Sequence, residues 1–363
     1  MNKLLINQET RIMPVYDITN CGHRSRYMAN GKLVHNSDKV NLQNLSARGK
    51  EPILRRSLRA IPNHVVIAID ASQVELRLSA LVANQKDLID LFTNGRDPYV
   101  DMAAGIANKT YEEMFEISKV NPTSEGKMLR QLGKACCLGL GYGASSAKFG
   151  NLLELQGLAE HKDKADELVQ AYRTKNNMLV HAWKICGKVL DVMYAGGSMW
   201  FGGANNDLFF ADGSSVFHGE KIPSIRLPNG TYLFYQNLRK EVCDDGKVNY
   251  VYDQFKGRNW LSKRIFSSAL FENLIQALSF CVLKWQAIEM AKQGVPINLN
   301  VHDEWVSVVP REQAPQVVVV MYKAMKSVPD YIPAGLLDCE VDVGLNYADL
   351  KTINAKKYLG DNP

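Results

Sequence analysis

Apolar and polar positions alternate in distinct registers along the chain, and the changes of register mark its elements. Residues 64 to 69, HVVIAI, form a continuous apolar run that ends in Asp70, the pattern of a buried strand presenting a carboxylate at its end. SEGKMLRQLGKACCL, 124 to 138, has helical spacing that puts Arg130 and Lys134 one turn apart on one face, and glycines 139, 141 and 143 follow to end it. Residues 157 to 193 predict mainly helix. From 195 to 256 the register shortens: AGG, FGG, ADG, LPNG and DDG punctuate aromatic-rich runs that predict a hairpin-like insertion. A long helix is expected over 262 to 293, then a hairpin in INLNVHDEWVSVVP with His-Asp-Glu at its bend, then a helix over 312 to 327, a turn and a strand. At the start, VYDIT, NCG, NG and GKLVHN predict short strands and turns over residues 1 to 36, too few to bury a core unaided. The class is α+β.

Composition adds limits. The 363 residues suffice for two or three domains or one large core with insertions. With 46% hydrophobic and 22% charged residues the chain has an ordinary globular composition, and no apolar run is long enough to cross a bilayer. NKLLINQETR after Met1 lacks the features of an export signal. Seven cysteines, without a CxxC pair, argue against a disulfide framework or a zinc site and fit a reducing cytoplasm. The net charge of +5 is compatible with a nucleic-acid partner without singling one out.

Singly, the candidate residues admit structural readings: a strand-end carboxylate as a cap, a solvated Asp-Glu turn, an i, i+4 basic pair on a polar face. In order, however, DASQVELR (70–77), RQLGKACCLGLGYG (130–143) and VHDEW (301–305) resemble the three signature motifs of family A DNA polymerases, the DNA polymerase I-like enzymes of bacteria and many phages. NLQN at 41 to 44 resembles the template-primer contact that precedes them, and the resemblance covers about residues 37 to 350.

The chemistry suits these residue types. Phosphoryl transfer from a nucleoside triphosphate uses two metal ions, and hard Mg²⁺ takes oxygen ligands while keeping some waters. The resemblance implies Asp70 and Asp303, from neighbouring strands of one sheet, as ligands of two Mg²⁺ ions. It implies the Ala71 carbonyl as a further ligand and Glu304 as a nearby charge or occasional ligand. Arg130 and Lys134 would hold the triphosphate of a dNTP, with Lys134 as general acid for pyrophosphate. Gln73 and Glu75 fall in the nucleotide-contacting motif, Glu75 as the steric gate that excludes a ribose 2′-hydroxyl. Tyr142 matches the aromatic at the template edge of the nascent pair, and His302 the histidine near the primer terminus or phosphates. Asn41, Asn44 and Gln276 would contact primer-template DNA, Gln276 through the minor groove. Arg77 is expected to pair internally.

Three positions depart from the family pattern: Leu138 replaces an aromatic that stacks on the nucleotide, Tyr99 replaces a histidine, and Glu272 stands where an asparagine is usual.

Residues 1 to 36 resemble the C-terminal fragment of a split intein. VYDIT with Asp17, then Tyr27, then His35-Asn36 directly before Ser37 follow its order. By that resemblance Ser37 takes the acyl chain as an ester, Asn36 cyclises to release the fragment, His35 donates to the Asn36 carbonyl, and Asp17 positions Ser37. The expected organisation is therefore a splicing fragment at 1–36, the first part of a palm at 37–95, fingers at 96–195, the insertion at 196–256 and the second part of the palm at 257–363. The thumb, and in much of the family a proofreading exonuclease, would come from a separate N-terminal chain joined by trans-splicing in the cytoplasm of an infected bacterial host. Two alternatives are a subunit that assembles with such a partner without splicing and an inactive DNA-binding remnant. A single-subunit RNA polymerase shares the palm layout but is disfavoured by Glu75 and NLQN.

Overall fold

The computed structural model describes residues 26–29, 32–35, 53–242, 246, 248–256 and 259–358. Of the first 36 residues it gives one antiparallel hairpin, Arg26–Ala29 with Lys32–His35, in which Tyr27 pairs with Val34. No separate all-β module is present among the described residues. Asp17, Asn36, Ser37, Asn41 and Asn44 lie outside the described residues.

The chain forms two compact units, one of residues 1–72, 283–329 and 337–363, the other of 73–282 and 330–336. The first is built on a five-stranded antiparallel sheet in the order Leu299–Val301, Glu304–Pro310, His64–Ala71, Cys339–Gly344, Lys351–Ile353. His64–Ala71 is central, which explains its unbroken apolar run: a strand paired on both edges and covered on both faces cannot alternate with polar residues. Val66 and Ala68 face a core with Ala60, Val301, Val306 and Tyr347. At a period of two, Asp70 continues that row as its polar end. The helix Ala314–Lys326 packs on the same sheet.

The second unit is mostly helical, with three smaller sheets among the described residues, one of them the two-stranded pair Val216–Phe217 and Glu220–Lys221. Its helices include Val74–Ala83, Pro98–Ala107, Ser124–Leu140, Asn177–Tyr194 and the start of Ser267–Lys292. Ser124–Leu140 is capped by Thr123, whose side chain accepts from the Gly126 amide at 2.9 Å. It lies so close to Pro98–Ala107 that a Cβ on Gly133 would stand 2.3 Å from the Tyr99 carbonyl oxygen. The helix passes through Gly139 and ends at Leu140, slightly beyond its expected end. The stretch expected as one helical region from 157 to 193 is a short 3₁₀ turn, Ala159–Lys164, and two helices that meet at Asn176.

The glycine-punctuated insertion forms a four-stranded sheet ordered Ser198–Phe201, Phe209–Asp212, Ser224–Arg226, Tyr232–Phe234, and a three-stranded sheet ordered Arg239–Val242, Val248–Lys256, Asn259–Ile265. The last strand corrects the expectation of helix from 262. Asn259–Ile265 pairs with Val248–Lys256, setting Trp260 opposite Phe255, and the helix begins only at Ser267. Cross-strand pairing decided the conformation of a segment whose local pattern is ambiguous.

Candidate active site

In the first unit the carboxylates converge at the end of the central strand. Asp70 pairs in register with Glu304 on one side and Glu340 on the other, so three carboxylates cross three strands on one face. The hairpin bend is His302–Asp303, and Glu304 already begins the return strand. The Ala71 amide donates to the Asp303 carbonyl at 3.1 Å, which pins the bend against the strand end. Asp303 thus reaches Asp70 from the bend rather than from within a strand, and the two carboxyls are hydrogen-bonded. Burial, and then the charges of Asp303, Glu304 and Glu340, push the Asp70 carboxyl well above the usual carboxylate range.

Glu304 is also raised, chiefly by burial, but two groups oppose the shift. The Tyr347 hydroxyl donates to Glu304 Oε1 at 2.5 Å, and the Arg55 guanidinium, 4.8 Å from the Tyr347 ring centroid, adds positive charge. His302 holds its Nδ1 3.0 Å from Asp303 Oδ1, on a left-handed backbone with φ 56°. A non-glycine residue in that region is costly, and here it turns the chain sharply enough to bring Asp303 back to the sheet.

The donor set suits a hard divalent cation. Asp70 and Asp303 offer close carboxylate oxygens whose mutual repulsion a cation would relieve, and Mg²⁺ completes its shell with water. Among the described residues no three His, Cys, Asp or Glu side chains are arranged to enclose an ion, so a bound metal would take its remaining ligands from backbone, water or substrate.

In the second unit, helix Ser124–Leu140 turns Arg130, Lys134 and Leu138 to one face, with Leu132, Ala135 and Cys136 buried on the other. Leu138 is 52% exposed beside the buried Cys137, so the leucine that replaces an aromatic stands open on the face that carries the cations. The Arg130 Nε and Nη2 both donate to Asp97 Oδ2, at 2.9 and 2.7 Å, and Lys119 lies 3.6 Å from the same oxygen. Tyr99 lies between the two cations: Arg130 is 5.5 Å and Lys134 5.7 Å from its ring centroid. Tyr99 is buried, and burial, Cys137 and Asp97 push its hydroxyl up to about 12 against the opposing Arg130 and Arg77 charges. Asp97 also caps Pro98–Ala107, accepting from the Tyr99 amide at 2.9 Å. The structure therefore gathers Tyr99, Arg130 and Lys134, and Asp97 is the residue that organises them.

Tyr142 and Glu75, distant in sequence, meet directly: the Tyr142 hydroxyl donates to Glu75 Oε2 at 2.5 Å. Burial first, and the Glu75 charge second, raise the Tyr142 hydroxyl far above its ordinary range, so it stays a donor. Gln73 sits at φ 48° just before Val74–Ala83. The buried Arg77 donates to the Leu336 carbonyl at 2.7 Å and stacks 4.3 Å from the Phe92 ring, an internal support as its sequence suggests. Gln276 is exposed on its helix, with Nε2 3.4 Å from Glu272 Oε1.

Sequence reasoning missed Asp97, Tyr347, Arg55 and Glu340. Asp97 had a readable signal, an N-cap aspartate before a proline at the first helical position. The other three act across strands or between distant segments and leave no local pattern.

The comparisons with known proteins agree on one family. The sequence profile described as DNA polymerase family A matches residues 3–183, about half the chain. The DNA polymerase of Bacillus phage SP02 is 27% identical over 248 residues, covering 67% of this chain and 35% of that one. The DNA polymerase of Escherichia phage T5 is 28% identical over 176 residues, 46% of this chain and 20% of that one. DNA polymerase I of Chloroflexus aurantiacus is 32% identical over 142 residues, 39% and 13%. The polymerase domain of Pol1 from M. smegmatis, solved with a DNA primer-template and dNTP, shares the fold at a TM-score of 0.52 and 16% identity, over 85% of this chain and 45% of that chain.

The fold is a mixed α/β architecture of antiparallel sheets and helices, consistent with a polymerase-like domain. Homology and fold together support a family A, DNA polymerase I-like, catalytic region. The chain spans about a third or less of the length of these curated relatives. The family match begins at residue 3 and runs through the segment that resembles a splicing fragment, and these comparisons lend that resemblance no support. Among the described residues no helix is long and apolar enough to cross a membrane.

Proposed function

We propose that this chain is the catalytic part of a template-directed DNA polymerase, a nucleotidyltransferase that extends a DNA primer with dNTPs. The observation that carries this is the Asp70–Asp303 carboxyl pair at the end of the central strand, in a chain whose family match is to DNA polymerases. Asp70 and Asp303, with the Ala71 carbonyl, would hold two Mg²⁺ ions, and Glu304, held by Tyr347, would tune the charge beside them. When bound, such ions supply a lowered pKa for the primer hydroxyl and positive charge for the phosphates.

The primer 3′-oxygen bonds to the α-phosphorus of the dNTP as the bond to pyrophosphate breaks. Arg130 and Lys134 bind the triphosphate, and Lys134 gives its proton to the leaving pyrophosphate. Tyr99 offers its hydroxyl to a phosphate oxygen. Glu75, steadied by Tyr142, fills the space a ribose 2′-hydroxyl would need, and Gln73 lines the same motif. Leu138 and Tyr142 border the nascent pair, and His302 contacts the primer end. Asn41, Asn44 and Gln276 contact the primer-template duplex. The phage polymerases among its relatives fit a site of action in an infected bacterium.

Primer extension with Mg²⁺ tests the reading. Asp70→Asn or Asp303→Asn should remove extension and leave primer-template binding largely intact, whereas extension near the wild-type rate in either variant would sink it.

Maturation by trans-splicing at Asn36–Ser37 is a second, finer reading, supported by the order of Asp17, His35, Asn36 and Ser37 in the sequence. It assigns the thumb and any exonuclease to a partner chain carrying the other intein half. Mixing with such a partner should yield a ligated product of larger mass and a free 36-residue piece, and N36A should yield neither.

A further inference from the structure

The strand Asn259–Ile265 is exposed at six successive positions, so both faces of this outer strand meet solvent and only Ile265 is buried. Fully solvated strands are normally polar throughout, because an apolar row needs a covering layer. This one carries Trp260, 61% exposed, against Phe255 of the paired strand, itself 59% exposed, with ring centroids 5.4 Å apart. Around them KGRNWLSKR, residues 256 to 264, holds four basic residues and no acidic one.

The ribbon does not stand on an open plane. Phe255, Trp260 and Lys263 line one side of a cavity of about 650 Å³, with Phe217 and Phe234 on another wall and Gln276 at the long helix. Phe217 and Phe234 form a second aromatic pair, edge to face at 4.6 Å. One acid, Asp253, also lines the cavity, but its carboxylate is committed: Arg239 and Ser262 donate to Oδ1 at 2.8 and 3.1 Å, and Asn237 to Oδ2 at 2.9 Å. Exposed aromatic faces, a cavity wide enough for a flat ring system, Lys263 in its lining and the exposed Arg264 next to it, with the one lining acid already bound by Arg239, define a ligand that is planar, apolar on its faces and anionic along its length.

We propose that the strands Val248–Lys256 and Asn259–Ile265 and their cavity bind single-stranded DNA, stacking unpaired bases on Trp260 and Phe255 while Lys263 and Arg264 follow the phosphates. The choice of nucleic acid over an acidic peptide follows from the paired aromatic platforms. The choice of DNA rests on the polymerase reading. A duplex cannot use such platforms, because its bases are already stacked on one another. The site therefore differs in specificity from the duplex contacts assigned to Asn41 and Asn44, and it meets the duplex contact assigned to Gln276 at the wall of the cavity.

Fluorescence anisotropy with the full chain tests this, using a labelled oligothymidylate and a blunt-ended duplex as probes. Trp260→Ala should weaken oligothymidylate binding about 5-fold or more, and Trp260→Ala with Phe255→Ala by tens of fold, with the blunt duplex unaffected. Trp260→Phe should restore most of the affinity, an outcome that lost folding would not give. Lys263→Ala should lower the slope of log affinity against log salt by roughly 0.7, as the loss of one phosphate contact to a single strand requires.

Wild-type oligothymidylate binding by the double alanine variant would overturn the proposal. So would equal losses on both probes, or a platform whose only sensitive property is self-association in sedimentation. Primer extension separates this from the reading above. Extension with platform-independent single-strand binding sinks the proposal alone, while failed extension with platform-dependent binding sinks the polymerase reading alone.

Discussion

The Tyr142 hydroxyl donates to Glu75 Oε2 at 2.5 Å, joining a residue just past the end of the cation-bearing helix to one in the first turn of Val74–Ala83. The Glu75 carboxylate is held by a partner that burial keeps protonated, and in the proposed steric-gate role this would make it a fixed wall. An unheld glutamate could swing aside for a 2′-hydroxyl.

Tyr142→Phe should keep the ring and lose the restraint. Ribonucleotide incorporation relative to deoxynucleotide should rise about 10-fold, and stability should fall by about 1 kcal/mol. Single-nucleotide incorporation with matched dNTP and rNTP, beside urea denaturation, measures both. Unchanged discrimination would leave Glu75 independent of Tyr142.

Asp70 stands among Asp303, Glu304 and Glu340 at some cost to the fold. In chelator, Asp70→Asn should stabilise the protein by about 1 kcal/mol, seen as a Tm rise of roughly 2 °C, and in separate assays with Mg²⁺ it should abolish extension. A variant less stable than wild type would show that the carboxylates support the fold rather than strain it.

Asp97 accepts two hydrogen bonds from Arg130 and caps its own helix. Asp97→Asn retains a capping side chain but weakens the hold on the guanidinium. The dNTP KM should fall several-fold with stability within about 1 kcal/mol of wild type. A raised KM would instead make Asp97 the group that positions Arg130 for phosphate.

Tyr347 supports Glu304 as Tyr142 supports Glu75. Tyr347→Phe should raise the Mg²⁺ concentration needed for half-maximal extension about 5-fold, with the rate recovered at excess Mg²⁺, and should cost about 1 kcal/mol of stability. An Mg²⁺ titration of extension rate distinguishes this from a defect that excess metal leaves in place.

Gly133 lets two helices touch, with the Tyr99 carbonyl 2.3 Å from where a Cβ would stand. Gly133→Ala should destabilise by about 1–3 kcal/mol despite alanine's better helix propensity. A stabilised variant in urea would mean that the helices separate freely.

The amino-acid sequence by itself determined the buried strand that ends at Asp70, the face shared by Arg130 and Lys134, and the His-Asp-Glu hairpin. Each is written in a local period of two or 3.6, or in a turn, and a local period survives in one dimension. It also carried the family resemblance, which rests on short motifs in order. The strand at 259–265 was not legible, because WLSKRI suits either period and only pairing with Val248–Lys256 selected one. Tertiary structure alone decided which charges meet. Glu340 lies beside Asp70 through strand register, Tyr347 reaches Glu304 over a shared core, Asp97 reaches Arg130 between two helices, and Tyr142 finds Glu75. Electrostatic and hydrogen-bonded partners are chosen by distance in space, and sequence separation carries almost no information about that distance until the chain has folded.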